Sequence, residues 1–218
     1  MHDILLPTFG LPVHTALMLY VMALLCVFSY LLRGSLKLVP GKLQNTVEIV
    51  VEGFAGLIDE VMGQKGKFFL PAILTFFVFI LISNTLGMIP GLAPPTANLN
   101  TTVGLALIVF VATHIVGLKE HGIGYVKHFT GPIWWMVPFM FPIEVFGHLA
   151  RPLSLSFRLF GNMFGHEQLI VVLLMLMPYA YPMVLFSTIL GVLAVILQAF
   201  IFSLLAMAYI GGALEEAH

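Results

Sequence analysis

Residues 182–214 read PMVLFSTILGVLAVILQAFIFSLLAMAYIGGAL, a continuous apolar stretch with one strongly polar side chain, Gln198, near its middle. As an α-helix it would be about 48 Å long, whereas about 20 apolar residues suffice to cross the ~30 Å hydrocarbon core of a bilayer. The stretch therefore predicts a transmembrane helix that is too long to stand upright and so runs obliquely.

The stretch before it, residues 135–177, is also apolar and is longer still. As one helix it would extend about 65 Å, roughly twice the thickness of the bilayer core. It either divides into two spans or lies steeply tilted. A division would fall at Arg151-Pro152, where the sequence has none of the Gly, Asn or Asp turn residues that mark its other loops. Tilt is therefore favoured, and residues 135–214 are predicted to form a steeply tilted hairpin of two long helices.

The rest of the chain contains three shorter apolar stretches and one of mixed character. In residues 42–63, acidic side chains are interleaved with apolar ones at helical spacing, which is typical of an amphipathic helix that lies at the membrane interface or against other helices. The apolar stretches are residues 11–32, 68–89 and 102–118. We therefore predict an all-α membrane protein, a single membrane domain over residues 1–218, with about five transmembrane helices and one amphipathic helix.

The composition excludes several classes of protein. Hydrophobic residues make up 60% of the chain and charged residues 9%, against roughly 25% charged residues in an average soluble domain. The formal net charge of −1 offers no basic surface for nucleic acid. A single cysteine, Cys26, excludes an internal disulfide. His166-Glu167 lacks the second histidine of a metalloprotease motif, and we predict neither a metal site nor a cofactor.

The cations of the loops predict the orientation of the chain, because Lys and Arg collect on the cytoplasmic side. Cations follow the first and third spans, whereas the loops near Pro94 and Pro178 carry none. The cations concerned are Arg33, Lys37, Lys42, Lys65, Lys67, Lys119 and Lys127. The N-terminus is therefore predicted to lie outside and the C-terminus in the cytoplasm.

The stretch 135–177 carries charges where a membrane makes them costly. A charge at the bilayer centre costs about 2.5–3.5 kcal/mol on insertion scales, so such residues normally face a bundle interior or a water cavity. Glu144, Arg151 and Arg158 are spaced seven residues apart, which places them on one helix face. The same face is predicted to include His148, Ser154, Asn162, His166, Gly147, Gly161 and Gly165. One polar track with little side-chain bulk thus follows the helix.

Arg158 differs from the other residues of this track. Its sequence neighbours are apolar, and a guanidinium does not release its proton in a protein. Arg158 is therefore predicted to be a fixed charge, with proton transfer left to Glu144, His148, His166 and Glu167. Glu167 is nine residues past Arg158, on the opposite face, where it can meet the last helix and its Gln198. We interpret these residues as the lining of a water path between the two helices.

Plainer interpretations of several residues remain open. Gly161 and Gly165 form a G-x-x-x-G spacing, which is typical of close helix packing. Arg151 lies nearer one end of the track and can extend towards the interface. Ser154 can bond a backbone carbonyl of its own helix. His114, alone in the third span, has the pattern of a structural histidine.

A long motif in the hairpin resembles the signature of subunit a of rotary F-type ATP synthases of the bacterial type. It reads Arg151-Pro-Leu-Ser-Leu-Ser-Phe-Arg158-Leu-Phe-Gly-Asn162-Met, followed by Gly165-His166-Glu167. Three further stretches are similar to the same family: Ser83-Asn84-Thr85-Leu86-Gly87-Met88-Ile89-Pro90, Pro142-Ile-Glu144 and Leu197-Gln198-Ala-Phe-Ile-Phe. The resemblance covers nearly the whole chain. It implies an oblique hairpin beside a rotating ring of c subunits, with two offset aqueous half-channels that lead protons to and from a ring carboxylate.

The same resemblance implies a role for individual residues. Arg158 would be the stator arginine that faces each passing ring carboxylate. The outer half-channel would be lined by Asn162, His166, Glu167 and Gln198, and the inner one by Glu144 and Ser154. Some bacterial members of the family carry a histidine near the position of Gly191 and a small residue at that of His166. Here the two are exchanged, which implies that His166 supplies the relay from the facing helix.

Partners and location also follow from the resemblance. The implied partners are the c ring, the b subunits of the peripheral stalk, the other ATP synthase subunits, protons and the lipid bilayer. The chain would be a channel subunit of the Fo sector rather than an enzyme in its own right, and it would lie in the cell inner membrane. The alternative is a proton-coupled multi-span transporter, which usually has internal repeats and pairs of broken helices. The sequence contains neither feature.

Overall fold

The computed structural model describes residues 10–35, 37, 40–89, 92, 94–122, 137–176 and 181–214. Over these residues the chain is helical and contains no strand. The α-helices within them are α1 (Val13–Ser35), α2 (Lys42–Met62), α3 (Leu70–Leu86), α4 (Leu99–His121), α5 (Val137–Leu176) and α6 (Tyr181–Leu214). Short 3-10 helices at Gln64–Phe69 and Pro95–Ala97 precede α3 and α4. Lys127 and the turn of the predicted hairpin, residues 177–180, lie outside the described residues.

Apolar composition accounts for these helices. Four segments are long and apolar enough to cross a membrane: Val13–Gly34, Gln64–Leu86, Leu99–His121 and Pro182–Leu214. α5 is longer, with 40 residues, but it carries Glu144, Arg151, Arg158 and Glu167 and is not among them. The predicted fold class, an all-α membrane protein, is confirmed.

α5 continues without a break through Pro142 and Pro152. The alternative of two spans divided at Arg151-Pro152 is therefore wrong. A helix of 40 residues is about 60 Å long, roughly twice the ~30 Å bilayer core. In a membrane it must run obliquely or extend beyond the core. The same holds for α6, whose 34 residues extend about 50 Å.

The amphipathic helix α2 packs its apolar side against the other helices. Phe54, Ile58 and Met62 recur every four residues and are buried. α2 contacts α6, and the approach is close at Gly211, where a Cβ atom would lie 3.0 Å from the carbonyl oxygen of Val61. α2 is thus part of the helical bundle.

The core lies where α3, α4, α5 and α6 meet. α4 packs along both α5 and α6, and α3 packs along α6. Small buried residues on α6 permit these close approaches; they include Ala199, Ser203 and Ala206. The larger buried side chains include Ile73, Ile80, Val109, Leu155, Leu159, Phe202 and Met207. Because lipid tails are as apolar as these side chains, van der Waals packing and hydrogen bonds hold such a bundle together.

Candidate functional site

Arg158 lies on the side of α5 that faces away from the rest of the chain. Its neighbours Leu155 and Leu159 are turned into the core and are 1% and 0% exposed, whereas Arg158 is exposed. Among the residues that the structure describes, its guanidinium has no hydrogen-bond or ion-pair partner. Because a charge in lipid is costly, this position calls for a polar partner outside the chain.

Several small residues lie on the same side of α5 as Arg158. We define the arginine face as Gly147, Ser154, Arg158, Gly161 and Gly165, all of which are exposed. A Cβ atom added at any of its three glycines would meet no atom within 4 Å. The G-x-x-x-G spacing of Gly161 and Gly165 is therefore not used for packing within the described chain, and the arginine face is open to another molecule.

The predicted polar track divides into two rows in the structure. The arginine face forms the outward row. Asn162 and His166 lie nearer α6, where they contact the last helix, and His148 is buried beside α4. The expectation of one shared face was wrong. Residues three or four positions apart point in similar but not identical directions, so the predicted track was wide and its two edges contact different neighbours.

Asn162 and Gln198 join α5 to α6. The Asn162 side-chain amide donates a hydrogen bond of 2.6 Å to Oε1 of Gln198. Gln198 is only 3% exposed, and a buried amide is stable when such bonds satisfy it. The one strongly polar side chain in the middle of α6 thus faces α5.

His166 lies against Gly191. A Cβ atom at Gly191 would lie 2.3 Å from Nε2 and 2.7 Å from Cε1 of His166, so any larger residue there must displace the ring. The imidazole of His166 thus occupies the space beside Gly191 between the two helices. Glu167, the next residue along α5, is half-buried.

A second polar cluster lies towards the N-terminal end of α5. Nε2 of His148 is 3.4 Å from Oε1 of Glu144, one helical turn away. The His148 ring is 5.4 Å from that of His114 on α4, measured between centroids. Arg151 lies 5.6 Å from the ring centroid of Tyr209 on α6, in the range of a cation–π contact. Arg151 thus contacts its own chain and is also exposed, so that its extension towards the interface stays a prediction.

Sequence reasoning treated His114 as an isolated structural histidine, and the structure shows that it is not isolated. It lies in α4, 34 residues before His148, so no local spacing links the two. Ser154 is exposed, and the serine that bonds a backbone carbonyl is Ser156, which donates to Leu153. That interpretation of Ser154 was therefore wrong.

A buried pair at the other end of the bundle was also missed. Thr96 donates a hydrogen bond of 2.5 Å to the side-chain carbonyl of Asn84, and both residues are fully buried. Asn84 belongs to the Ser83–Pro90 motif, whose sequence alone indicates no contact. The pair ties the end of α3 to the short helix Pro95–Ala97.

The helices and their side chains define a multi-span membrane protein in which a polar pair connects two long helices and an arginine, Arg158, is exposed on one of them. Comparison with known proteins gives the family. The profile described as ATP synthase A chain matches residues 15–211, and the chain belongs to this family.

Curated relatives agree with this assignment. ATP synthase subunit a 1 of Syntrophotalea carbinolica is 52% identical over 210 residues, which cover 96% of this chain and 89% of the relative. ATP synthase subunit a of Geobacter sulfurreducens is 53% identical over 194 residues, covering 89% and 84% respectively. ATP synthase subunit a of Trichlorobacter lovleyi is 52% identical over 198 residues, which cover 91% of this chain and 85% of the relative.

The family places the chain in the Fo sector of a rotary ATP synthase. In that complex it is a multi-pass membrane subunit that takes part in ATP synthesis and proton transport together with other ATP synthase subunits, and it is not the catalytic part. The resemblance stated from the sequence is thereby confirmed, and a proton-coupled transporter is excluded.

Proposed function

We propose that Arg158 is the fixed charge past which the carboxylates of a rotating c ring travel, and that the chain provides two offset half-channels for protons. The observation that carries this proposal is the exposure of Arg158, without a partner in its own described chain, on a face whose glycines leave room for a close neighbour. A ring of helices can approach such a surface closely. The b subunits of the peripheral stalk would bind elsewhere on the bundle.

The chemistry of the proposal follows from a guanidinium that stays charged. A cation within about 4–6 Å lowers the pKa of a carboxylic acid, so each arriving ring carboxyl releases its proton before it passes Arg158. The carboxylate then takes up a proton from the other half-channel. Because arginine does not deprotonate, it also blocks direct transfer of protons between the half-channels. The membrane potential supplies direction, at about 2.3 kcal/mol per charge per 100 mV.

The two half-channels use different residues. The outer one comprises the Asn162–Gln198 pair, His166 and Glu167, and the inner one is lined by Glu144 and Ser154. In this orientation the N-terminus lies outside the cell inner membrane and the C-terminus in the cytoplasm, in keeping with the loop cations. Oblique helices suit the arrangement, because they let one pair of helices line paths that open at different depths.

Replacement of Arg158 tests the proposal. We expect Arg158→Ala to abolish proton-driven ATP synthesis while the complex still assembles, because the exposed side chain has no hydrogen-bond or ion-pair partner among the described residues. We expect Arg158→Lys to fail as well, because a lysine can lose its proton when desolvated and lacks the planar guanidinium. The measurements are synthesis in energised vesicles and the amount of membrane-bound F1. Arg33→Ala, at the end of α1, is the matched control, and normal synthesis in Arg158→Ala would refute the stator role.

A further inference from the structure

Two histidines and a carboxylate lie close together near the N-terminal end of α5, where this helix packs against α4. We propose that His114, His148 and Glu144 form a proton relay that connects the inner half-channel to the cytoplasm. This inference rests on the proposed function and adds to it a pair of imidazoles from two different helices.

The contacts of His148 fit a relay rather than filling of the core. Its side chain is 7% exposed, and its Nε2 lies 3.4 Å from the Glu144 carboxylate. Glu144 itself is half-buried, so the pair links a buried imidazole to a more accessible group.

A backbone carbonyl fixes the tautomer of His114. Its Nδ1 is 2.8 Å from the carbonyl oxygen of Phe110. A carbonyl only accepts hydrogen bonds, so Nδ1 must carry the proton of this bond. In the neutral ring, Nε2 is then the atom that accepts and releases a proton. The ring is nearly perpendicular to that of His148, with an angle of 71° and 5.4 Å between centroids.

A small cavity lies beside both rings. Its polar lining consists of Thr113, His114, His148, Arg151 and Tyr209. It offers about 10 Å³ to the centre of a water molecule, which is the space that one water needs. A single water there can hydrogen-bond to both imidazoles and complete the connection between them.

Three helices contribute titratable or charged groups at the cavity. α4 contributes His114, α6 contributes Tyr209, and α5 contributes Glu144, His148 and Arg151. The guanidinium of Arg151 is a permanent positive charge near the two imidazoles.

The position of the cluster fits the inner side. His148 precedes Arg158 by ten residues, or about 15 Å along the helix, and Asn162 and His166 lie beyond Arg158 in the other direction. His114 is five residues before Lys119, one of the cations that the orientation places in the cytoplasm. The two polar ends of α5 thus serve opposite sides of the membrane.

Each transfer conserves one proton. During synthesis, the proton released by the ring carboxyl binds the Glu144 carboxylate and forms the neutral acid. It moves to Nε2 of His148, which becomes an imidazolium while the carboxylate is restored. The cavity water takes the Nδ1 proton of His148 and passes a proton to Nε2 of His114, which releases it to cytoplasmic water. His148 returns to its first tautomer when its remaining ring proton exchanges from Nε2 to Nδ1, and it can then accept the next proton from Glu144.

The experiment uses inverted vesicles that contain the whole complex, with His114→Gln, His148→Gln and the double variant. Proton flux through Fo is measured against the pH of the cytoplasmic side after removal of F1, and bound F1 is measured beforehand to monitor assembly. Flux should fall roughly ten-fold in each single variant, below the usual contribution of a positioned acid–base group because water partly replaces it. The double variant should lose no more than either single one, since the two imidazoles act in series. His14→Gln on α1 is the matched control and should keep the flux and pH profile of the parent.

A second readout separates a relay from a structural role. Added imidazole should restore flux in the His148→Gln variant, because a diffusible base can carry the proton across the gap, whereas a packing defect would not respond. Unchanged flux with an unchanged pH profile in both single variants would overturn the relay, as would losses that multiply in the double variant or a defect that imidazole does not relieve. ATP synthesis by Arg158→Ala vesicles, measured before F1 is removed, separates the relay from the proposed function: if this synthesis is abolished while His148→Gln behaves as the parent, only the relay fails.

Discussion

His166 and Gly191 contact each other between α5 and α6, and the size of residue 191 sets the position of the imidazole. We expect Gly191→Ala to reduce proton flux, because the new methyl group would lie 2.3 Å from Nε2 and must displace the ring. Overpacking of this kind costs about 1–3 kcal/mol, so assembly should also weaken. The measurements are proton flux and the heat stability of the purified complex.

Two further variants test whether displacement of the His166 imidazole causes the loss of proton flux. Gly212→Ala, also on α6, adds a methyl group where no atom lies within 4 Å and should have little effect on either measurement. Gly191→Ala combined with His166→Ala should regain stability but not flux, because the space is relieved while the imidazole is lost. If the Gly191→Ala variant alone shows normal proton flux, conduction does not depend on the observed position of the His166 imidazole.

Gln198 provides a second prediction for a single residue. Gln198→Leu removes the acceptor of the 2.6 Å bond from Asn162 and leaves the path without its amide. We expect passive proton flux through Fo to fall several-fold without stopping, since water can take over part of the function of one amide. An unchanged flux would exclude Gln198 from the path, and Leu197→Ala, at an exposed neighbouring position, controls for side-chain removal on α6.

At the scale of the helices, α5 has two different sides. One side packs against α4 and α6 through Leu155 and Leu159, and the other is the arginine face. A large side chain on the arginine face should leave the fold of the chain intact and still block the ring. We therefore expect Gly161→Leu to insert into the membrane in normal amounts and to lose c subunits on purification.

Mass analysis of the purified complex checks this expectation. Gly53→Leu, at an exposed glycine of α2 with no atom within 4 Å of its added Cβ, is the control and should retain the c subunits. Normal recovery of the ring with Gly161→Leu would show that the arginine face is not the rotor contact.

The helices themselves could be predicted because membrane length and helical periodicity are local properties. Residues 182–214 are apolar enough to define α6, and the missing turn residues at Arg151-Pro152 indicated that α5 is continuous. Contacts between helices could not be derived in this way. Nothing near His114 in the sequence indicates that it meets His148, because packing between distant helices brings them together. For the same reason, the division of the polar track into two rows depended on where α4 and α6 lie.

At the scale of the whole molecule, the described polar groups on α5 are separated along its length. His148 and Glu144 lie at one end with His114, Asn162 and His166 lie at the other with α6, and Arg158 faces outward between them. Two separate polar regions with a fixed charge between them are what an offset pair of half-channels requires. Family membership establishes the complex in which the chain works, and the geometry suggests how its surfaces are used there.

The most direct measurement of the central claim is an experimental structure of the assembled complex in lipid, with the c ring and F1 in place. We expect the guanidinium of Arg158 to lie about 4–6 Å from a carboxylate of the c ring. The helices of the c ring should pack on Gly161 and Gly165, and the C-terminus should lie on the F1 side. A guanidinium that faces lipid, or that binds a residue of its own chain away from the ring, would contradict the claim.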